Sequence, residues 1–272
     1  MAVKVSVTVC LIPEARGGPF VLWDDLPASI QTAAKLGYDA IELFPPEPDA
    51  LKPEAVKDLL APHKLNVSAV GSGAGWVRHK LSLTHANAAH REKALGFIRS
   101  MIDFAAALDA PVIIGSMQGR WGDGVTRDEA LAHLAKALTI LGDHAGSRGQ
   151  ILIYEPLNRY ETNLLNTIAD GIAFLKGLPT NVKLLADLFH MNIEEADIAG
   201  SIRAGASHIG HIHFADSNRR PAGLGHMSFE PIVAAVRDIQ FDGYFGAECF
   251  PHPLPDAAAK QTMKRFRELF AF

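Results

Sequence analysis

Four side chains that can bind a divalent cation stand at the ends of four successive apolar segments. They are Glu155 after residues 151–154, Asp187 after 184–186, His213 after 209–212 and Glu248 after 244–247. A short apolar run that ends in a polar residue is typical of a buried strand reaching the edge of a sheet. Three carboxylates and one imidazole suit Mn²⁺, Mg²⁺ or Co²⁺, and Zn²⁺ also accepts such ligands. Because crowded carboxylates repel one another, the sequence predicts one divalent-metal site if the four strand ends converge.

The elements that must position these residues alternate between strand and helix along the whole chain. Residues 5–12, 39–44, 66–70, 111–114, 151–155, 182–187, 209–214 and 244–250 have the pattern of strands, with helical spacing between them. Repeated strand–helix order implies parallel strands joined by right-handed crossovers. Eight such units predict an α/β protein made of a single (β/α)8 TIM barrel over residues 1–272. Active sites of such barrels lie at the C-terminal ends of the strands, so the four residues are predicted to line one half of the barrel mouth.

Composition and charge argue against several classes of partner. Hydrophobic residues make up 48% of the 272 residues and the formal net charge is −4, with no run of Lys and Arg. Nucleic-acid binding is disfavoured because phosphate contacts need clustered cations. No apolar run approaches the ~20 residues that span a bilayer, and the N-terminal residues lack the pattern of a secretory signal. The two cysteines, Cys10 and Cys249, do not make a disulfide framework, which fits a reducing compartment. We therefore expect a cytoplasmic protein without a nucleic-acid or membrane partner.

Several residues near the predicted site have two interpretations. Glu42, near the end of the second predicted strand, could orient a group in the pocket or form an internal salt bridge. His211 shares a face of its strand with His213, which favours a hydrogen-bonded core histidine. The glycine-bearing segment 71–75 lacks phosphate-binding spacing and opens no obvious helix, so it predicts a loop. Three tryptophans in or near the predicted loops could stack on a sugar or pack between helix and barrel: Trp23, Trp76 and Trp121.

The C-terminal half of the chain carries four motifs in order. They are Glu155-x-x-Asn158-Arg159-Tyr160-Glu161, Asp187-Leu188-Phe189-His190-Met191-Asn192, His213 followed six residues later by Arg219, and Glu248. With these motifs, residues 151–250 resemble the ketose 3-epimerase branch of the xylose isomerase-like TIM barrel family. The order of strands over the whole chain is compatible with that family.

This resemblance implies a set of site residues and a reaction. The implied ligands of one divalent ion, with Mn²⁺ the first expectation, are Glu155, Asp187, His213 and Glu248, and the implied substrate-binding residues are Glu161, His190 and Arg219. The implied catalytic acid and base are Glu155 and Glu248. The enzyme would be a metal-dependent isomerase that moves a proton through a metal-bound enediolate on a small ketose or ketose derivative. Similar proteins suggest a homodimer or homotetramer.

The placement of the two glutamates favours epimerisation at C3 over related reactions. One carboxylate removes the proton and the other returns a proton from the opposite face, which inverts the carbon. Return of the proton to the adjacent carbon on the same side would give aldose–ketose or hydroxypyruvate-type isomerisation instead. A lyase that dehydrates an inosose or a dehydroshikimate-like acid would begin with the same proton loss. Glu155 and Glu248 belong to the fifth and eighth predicted strands, far enough apart to flank a substrate.

Overall fold

Parallel strands close into a barrel whose first strand pairs with its last. The structure, a computed structural model, describes residues 3–270. The strands are β1 (Lys4–Cys10), β2 (Leu22–Trp23), β3 (Ala40–Phe44), β4 (Asn66–Gly71), β5 (Val112–Ile114), β6 (Leu152–Tyr154), β7 (Val182–Asp187), β8 (Ile209–His213) and β9 (Tyr244–Ala247). Strand β1 pairs with β3 on one side and with β9 on the other, with Lys4 opposite Tyr244 and Val7 opposite Ala247. The predicted (β/α)8 TIM barrel is confirmed.

The strand β2 adds two residues to the sheet, on the edge of β1 that faces β9 and beyond the residues that β9 pairs. Leu22 and Trp23 pair with Val9 and Cys10 at the C-terminal end of β1. The first helix begins after β2, at Leu26, with Asp25 as its N-cap. Because β2 is counted, the fifth, sixth, seventh and eighth predicted strands are β6, β7, β8 and β9.

Helices surround the barrel and follow the strands in sequence. They are α1 (Leu26–Leu36), α2 (Pro53–Leu60), α3 (Ala74–His79), α4 (Ala88–Ala106), α5 (Arg127–Ser147), α6 (Ile168–Leu175), α7 (Leu188–Glu194), α8 (Ile198–Gly205), α9 (Glu230–Asp238) and α10 (Pro255–Phe270). Short 3₁₀ helices occupy Pro13–Ala15, Ala61–His63, Ser116–Gln118 and Ala206–His208. Among residues 3–270, no helix is both long and apolar enough to cross a membrane.

Local capping residues set the ends of several helices. Thr126 accepts a hydrogen bond from the Glu129 N–H, and Glu129 accepts one from the Thr126 N–H, so Thr126 is the N-cap of α5. This reciprocal arrangement satisfies two backbone donors that the first turn of a helix would otherwise leave unpaired. At the other end of α1, Gly37 adopts φ 84°, a left-handed conformation that glycine reaches without a Cβ clash.

The interior of the barrel carries an apolar layer below the mouth. Ala69, Ile113, Ile153 and Leu185, from four neighbouring strands, pack together. Side chains of a strand alternate between the two faces of the sheet, so residues two positions apart share a face. Residues 155 and 187 therefore lie on the barrel side of the sheet, one layer above Ile153 and Leu185. The strands are apolar runs because parallel strands are buried on both faces.

Candidate active site and metal centre

Asp187 ends β7 and begins α7, so each of its carboxylate oxygens has a different neighbour. The Oδ1 atom accepts hydrogen bonds from the N–H groups of Phe189 (2.7 Å) and His190 (3.3 Å), as an N-cap does. The Oδ2 atom faces His213 Nδ1 at 3.3 Å. The cap thus fixes the carboxylate and leaves one oxygen directed at the centre of the barrel mouth.

The four residues at the predicted strand ends meet at His213. The Nδ1 atom of His213 lies 3.3 Å from Asp187 Oδ2, 3.5 Å from Glu248 Oε2 and 3.6 Å from Glu155 Oε1. One ligand atom from each of the four residues lies within 4.8 Å of all the others, and all four residues are buried. A divalent ion bonded at about 2.1 Å holds its ligand atoms about 3–4 Å apart, so this spacing is close to what one ion requires.

A buried oxygen without a partner supports the same conclusion. Within the described part of the chain, Glu155 Oε1 has no hydrogen-bond partner although it is buried. An unpaired buried carboxylate oxygen is unfavourable, because it has lost its water and gained nothing in exchange. A cation among the four ligand atoms would satisfy this oxygen. The groups present therefore fit a divalent metal ion, with three hard oxygens and one imidazole nitrogen.

The charges around His213 change the pKa of several groups. Burial alone would lower the pKa of His213, but the carboxylates of Glu42 and Glu248 and the hydrogen bond to Asp187 raise it well above its usual value. Burial raises the pKa of Glu248 to about 7, with His213 and Arg219 acting in the opposite direction. The cluster is thus strongly negative and stabilises a positive charge at its centre, either a proton or a metal ion.

Behind His213, Glu42 pairs with two histidines in the barrel interior. The Glu42 carboxylate contacts His213 Nε2 at 3.0 Å and His211 Nε2 at 2.7 Å, and all three residues are buried. Burial alone would raise the pKa of Glu42, but His213 and His211 lower it to about 2. Glu42 therefore both hydrogen-bonds to histidines inside the barrel and contacts a residue of the site. His211 is the hydrogen-bonded core histidine that its position predicted.

The substrate-binding residues that the family resemblance implied lie beside these ligands. His190 Nδ1 is 3.3 Å from the backbone N–H nitrogen of Asn158 and 2.7 Å from its side-chain nitrogen. With Nδ1 accepting from Asn158, the ring hydrogen lies on Nε2, which is 3.7 Å from Glu155 and 3.7 Å from Asp187. Among residues 3–270 this buried Nε2 has no hydrogen-bond partner. Asn158 was part of a quoted motif but had no predicted role.

Arg219 connects two carboxylates of the site. Its Nη2 donates to Glu248 Oε2 at 2.8 Å and its Nη1 to Glu161 Oε1 at 3.2 Å, while its guanidinium lies 4.8 Å from the centre of the Phe189 ring. Arg219 has φ 58°, which is unusual for a residue with a Cβ, and its carbonyl accepts a hydrogen bond from Phe250 N–H. The loop is thereby tied to the segment that follows Glu248.

These residues open onto a cavity of about 300 Å³ with two different walls. The charged wall is formed by Glu155, Glu161, His213, Arg219 and Glu248. The apolar wall is formed by Ile12, Phe20, Phe44, Trp76, Val77 and Ile113. Asp187 and His190 lie behind the charged wall, in contact with its residues.

The three tryptophans occupy different surroundings. Trp76, on α3, lines the cavity. Trp121 donates from its indole N–H to the Asn163 carbonyl at 2.9 Å, and Trp23 donates to the Phe20 carbonyl at 2.7 Å. Neither Trp23 nor Trp121 is among the cavity-lining residues of the described chain. Of the three tryptophans, Trp76 is therefore the one placed to stack on a sugar in this cavity.

The helix α3 corrects the prediction for the glycine-bearing segment 71–75. A loop was expected, but α3 begins at Ala74 within the segment. A Cβ on Gly75 would lie 2.4 Å from Met117 Sδ, and a Cβ on Gly71 would overlap the Phe44 ring. These glycines allow close packing between α3, β4 and their neighbours. Sequence patterns missed the helix because it has no capping side chain.

Comparison with known proteins identifies the class of this chain. Residues 30–269 match the family described as xylose isomerase-like TIM barrel. The chain is 33% identical to a D-psicose 3-epimerase of Agrobacterium fabrum over 219 residues, which cover 79% of this chain and 75% of the relative. It is 31% identical to an L-ribulose 3-epimerase of Methylomonas sp. over 246 residues, 89% of this chain and 84% of the relative.

A solved structure agrees at the level of the fold. The chain superposes on the crystal structure of a D-allulose 3-epimerase from Methylomonas sp. with a TM-score of 0.82 and 24% identity. The superposition covers 99% of this chain and 100% of the epimerase chain. The chain belongs to the xylose isomerase-like TIM barrel family. It is an enzyme of the isomerase class, of the epimerase type.

Proposed function

We propose that this protein is a divalent-metal-dependent epimerase that inverts C3 of a small ketose. The observation that carries the proposal is the convergence of Glu155, Asp187, His213 and Glu248 within 4.8 Å beside a cavity of about 300 Å³. The names of the relatives, D-psicose 3-epimerase and L-ribulose 3-epimerase, support the same reaction. A divalent ion held by these four residues would polarise the ketose carbonyl and acidify the hydrogen on the neighbouring carbon.

The two glutamates of the set would move the proton. Glu155 follows β6 and Glu248 follows β9, so they enter the site from the two outer strands of the group of four. One glutamate takes H3 as a proton, and the electrons of the broken C–H bond pass into an enediolate. The other glutamate gives its proton to C3 from the opposite face, and the C–H bond forms again with inverted configuration. In the next turnover the two glutamates exchange roles or exchange protons with solvent.

The remaining site residues would bind and orient the sugar. His190 lies behind the charged wall, and its buried Nε2, unpaired within residues 3–270, would donate to a sugar oxygen that reaches the four ligands beside Glu155 and Asp187. Arg219 and Glu161 form a charged pair at the cavity wall and present both donors and acceptors. Sugar hydroxyls need such groups because each can donate and accept.

The lining of the cavity supports a sugar without a phosphate group. Among the lining residues of the described chain, Arg219 is the one Lys or Arg, and its guanidinium already contacts Glu161 and Glu248. A phosphate carries about two negative charges, and unpaired Lys or Arg side chains are its common partners. We propose an unphosphorylated ketose as the substrate and Mn²⁺ as the first metal to test, with Mg²⁺, Co²⁺ and Zn²⁺ as the alternatives. A homodimer or homotetramer is expected and is measured by light scattering.

A deuterium experiment tests this function. Protein treated with chelator and reloaded with Mn²⁺, Mg²⁺, Co²⁺ or Zn²⁺ is incubated in D₂O with a panel of ketoses and ketose phosphates, and products are followed by NMR. The expected result is deuterium at C3 together with the C3 epimer, in the metal-loaded protein alone. Deuterium at C1 or C2 with an aldose product would indicate aldose–ketose isomerisation, and an enone that absorbs in the ultraviolet would indicate a dehydratase. The absence of exchange with every sugar and metal would contradict the proposal.

A further inference from the structure

Glu42 joins two histidines across the barrel interior. Glu42 lies on β3 and is fully buried. Both histidines lie on β8, which is separated from β3 by the strands β1 and β9. The Oε2 atom is 2.7 Å from His211 Nε2 and the Oε1 atom is 3.0 Å from His213 Nε2. Both oxygens of one buried carboxylate are therefore used by two imidazoles of the same strand.

The two nitrogens of His213 face different surroundings. Nδ1 points to the carboxylates of Asp187, Glu155 and Glu248 at 3.3–3.6 Å, while Nε2 points to Glu42. A neutral imidazole carries its hydrogen on one nitrogen and a lone pair on the other. If Nε2 donates its hydrogen to Glu42, the lone pair is on Nδ1 and is directed at the carboxylate cluster. The opposite tautomer would place a hydrogen where a cation would have to bind.

A glycine on β9 leaves the space that this arrangement needs. Gly246 lies opposite His213 in the β8–β9 pairing. A Cβ on Gly246 would lie 2.6 Å from Glu42 Oε2, 3.0 Å from His211 Nε2 and 3.2 Å from a carbon of the His213 ring. A distance of 2.6 Å is too short for a carbon–oxygen contact, so a side chain here would displace the carboxylate from one or both histidines.

We propose that Glu42 is a positioning residue that holds His213 in the Nε2–H tautomer and in the orientation that presents Nδ1, and thereby sets the affinity of the site for a divalent cation. His211 holds the second oxygen of Glu42, and Gly246 provides the room. The proposal rests on the proposed function in one respect, namely that a cation binds at the four-residue cluster. Carboxylate partners of metal-binding histidines generally change metal affinity 10–100-fold when they are mutated.

The substitution Glu42→Gln tests this role. Glutamine keeps the size of the side chain, but its amide replaces one of the two acceptor oxygens by an NH₂ donor, so one histidine loses its acceptor, and the remaining acceptor is uncharged. Full-length protein freed of metal is titrated with Mn²⁺ by calorimetry, and its fold is checked by circular dichroism. We expect the Kd for Mn²⁺ to rise about 10–100-fold in the folded variant. An unchanged Kd would overturn the proposal.

A matched control separates this effect from a general disturbance of the barrel. Ser68, on the neighbouring strand β4, is also buried and donates to the Ile41 carbonyl at 3.3 Å. Ser68→Ala removes a buried polar group that contacts the residue before Glu42 and neither histidine, and we expect its Kd for Mn²⁺ to remain within about twofold of the parent's. An equal loss in both variants would mean that Glu42 acts through the general packing of the barrel, which contradicts a specific role.

A measurement on the unmodified protein covers the case in which Glu42→Gln does not fold. Protein labelled with ¹⁵N-histidine and loaded with Zn²⁺, which is diamagnetic, shows by NMR which ring nitrogen of His213 carries hydrogen. We expect hydrogen on Nε2 and coordination through Nδ1; the reverse would overturn the proposal. If the unmodified protein binds neither Mn²⁺ nor Zn²⁺, the metal-dependent function itself fails, and that result is distinct from either outcome for Glu42.

Discussion

The two halves of the barrel mouth differ in the kind of side chain that they carry. The ends of β6, β7, β8 and β9 carry three acids and one histidine, with Arg219 beside them. The segments after β1, β3 and β4 carry instead an apolar cluster that includes Ile12, Phe44 and Ala74, with Phe20 and Val77 packed against it. Both halves border the same cavity. The first half has the groups that can move protons, and the second has the groups that can exclude water.

This division has an electrostatic consequence. Charges interact more strongly where water is excluded, because the effective dielectric constant is lower. The apolar wall thus strengthens the interactions among Glu155, His213 and Glu248 without adding any charge of its own. It also offers sugar carbons a surface to contact. We therefore expect substitutions in the charged half to affect the chemical step and substitutions in the apolar half to affect substrate binding.

The largest effect is expected from the two glutamates of the charged half. Glu155→Gln and Glu248→Gln each remove one proton-transfer group, so the epimerisation rate at saturating Mn²⁺ and ketose should fall by about 10²–10⁴-fold. The remaining glutamate can still exchange the C3 hydrogen that faces it. Each variant should therefore exchange deuterium into one epimer and not into the other, with opposite preferences, as measured by NMR in D₂O.

The complementary preferences are the decisive part of that experiment. If both variants exchange deuterium into the same epimer, the two glutamates do not act on opposite faces of the sugar. The two-base mechanism would then be contradicted. Retention of full epimerase activity in either variant would contradict a proton-transfer role for that glutamate. A Glu54→Gln variant on α2, far from the four strand ends in sequence, serves as the control for the exchange of a glutamate.

The second effect concerns the metal and the stability of the fold. Mn²⁺ at about 100 times its Kd should stabilise the folded protein by about 2.7 kcal/mol, which raises Tm by about 5 °C for a chain of this size. In Asp187→Asn the shift should disappear, because one of the charged ligands is lost. Asparagine is also a good N-cap, so the helix α7 should persist. A thermal shift of the same size in the variant would show that Mn²⁺ binds elsewhere.

The two halves also differ in how far the sequence could predict them. The fold was predicted from eight alternating strand and helix segments. The candidate metal ligands were predicted from polar residues at the ends of apolar runs. Both inferences use patterns with a fixed physical cause, namely burial of parallel strands and their common C-terminal edge. The roles of these residues stay predictions, but the structure brings Glu155, Asp187, His213 and Glu248 together.

The apolar half could not be predicted in the same way. Phe20 and Phe44 have the same residue type whether they pack in a core or line a cavity, so no pattern separates the two. The helix α3 starts beside glycines whose role depends on Phe44 and Met117, which are distant in sequence. Glu42 had two interpretations because the choice depended on histidines 169 and 171 residues away. Contacts of this kind become visible only when the chain is folded.

A smaller effect is expected from the apolar wall. Trp76→Ala should raise KM for the ketose about 2–10-fold and change kcat less, because an aromatic contact contributes about 0.5–1.5 kcal/mol beyond buried area. Trp121→Ala is the matched control, since Trp121 has a similar exposure (42% against 39%) but does not line the cavity. Steady-state kinetics measure both variants. Equal effects on KM, or a loss confined to kcat in Trp76→Ala, would contradict the division between the two walls.

The smallest effect is expected at Arg159, which stands inside the motif that begins at Glu155. Its guanidinium pairs with Glu194 at the end of α7, its side chain is 59% exposed, and Arg159 is not among the residues that line the cavity. Glu194 is buried (6% exposed), but it keeps a hydrogen bond from the Arg159 backbone N–H when the guanidinium is removed. Arg159→Ala should therefore keep kcat/KM within about twofold of the parent's, whereas Arg219→Ala should lower it at least tenfold, because Arg219 contacts Glu248. A comparable loss in both variants would mean that Arg159, outside the cavity, also contributes to catalysis. The charged half of the site would then include the whole motif that begins at Glu155 and not only the residues that line the cavity.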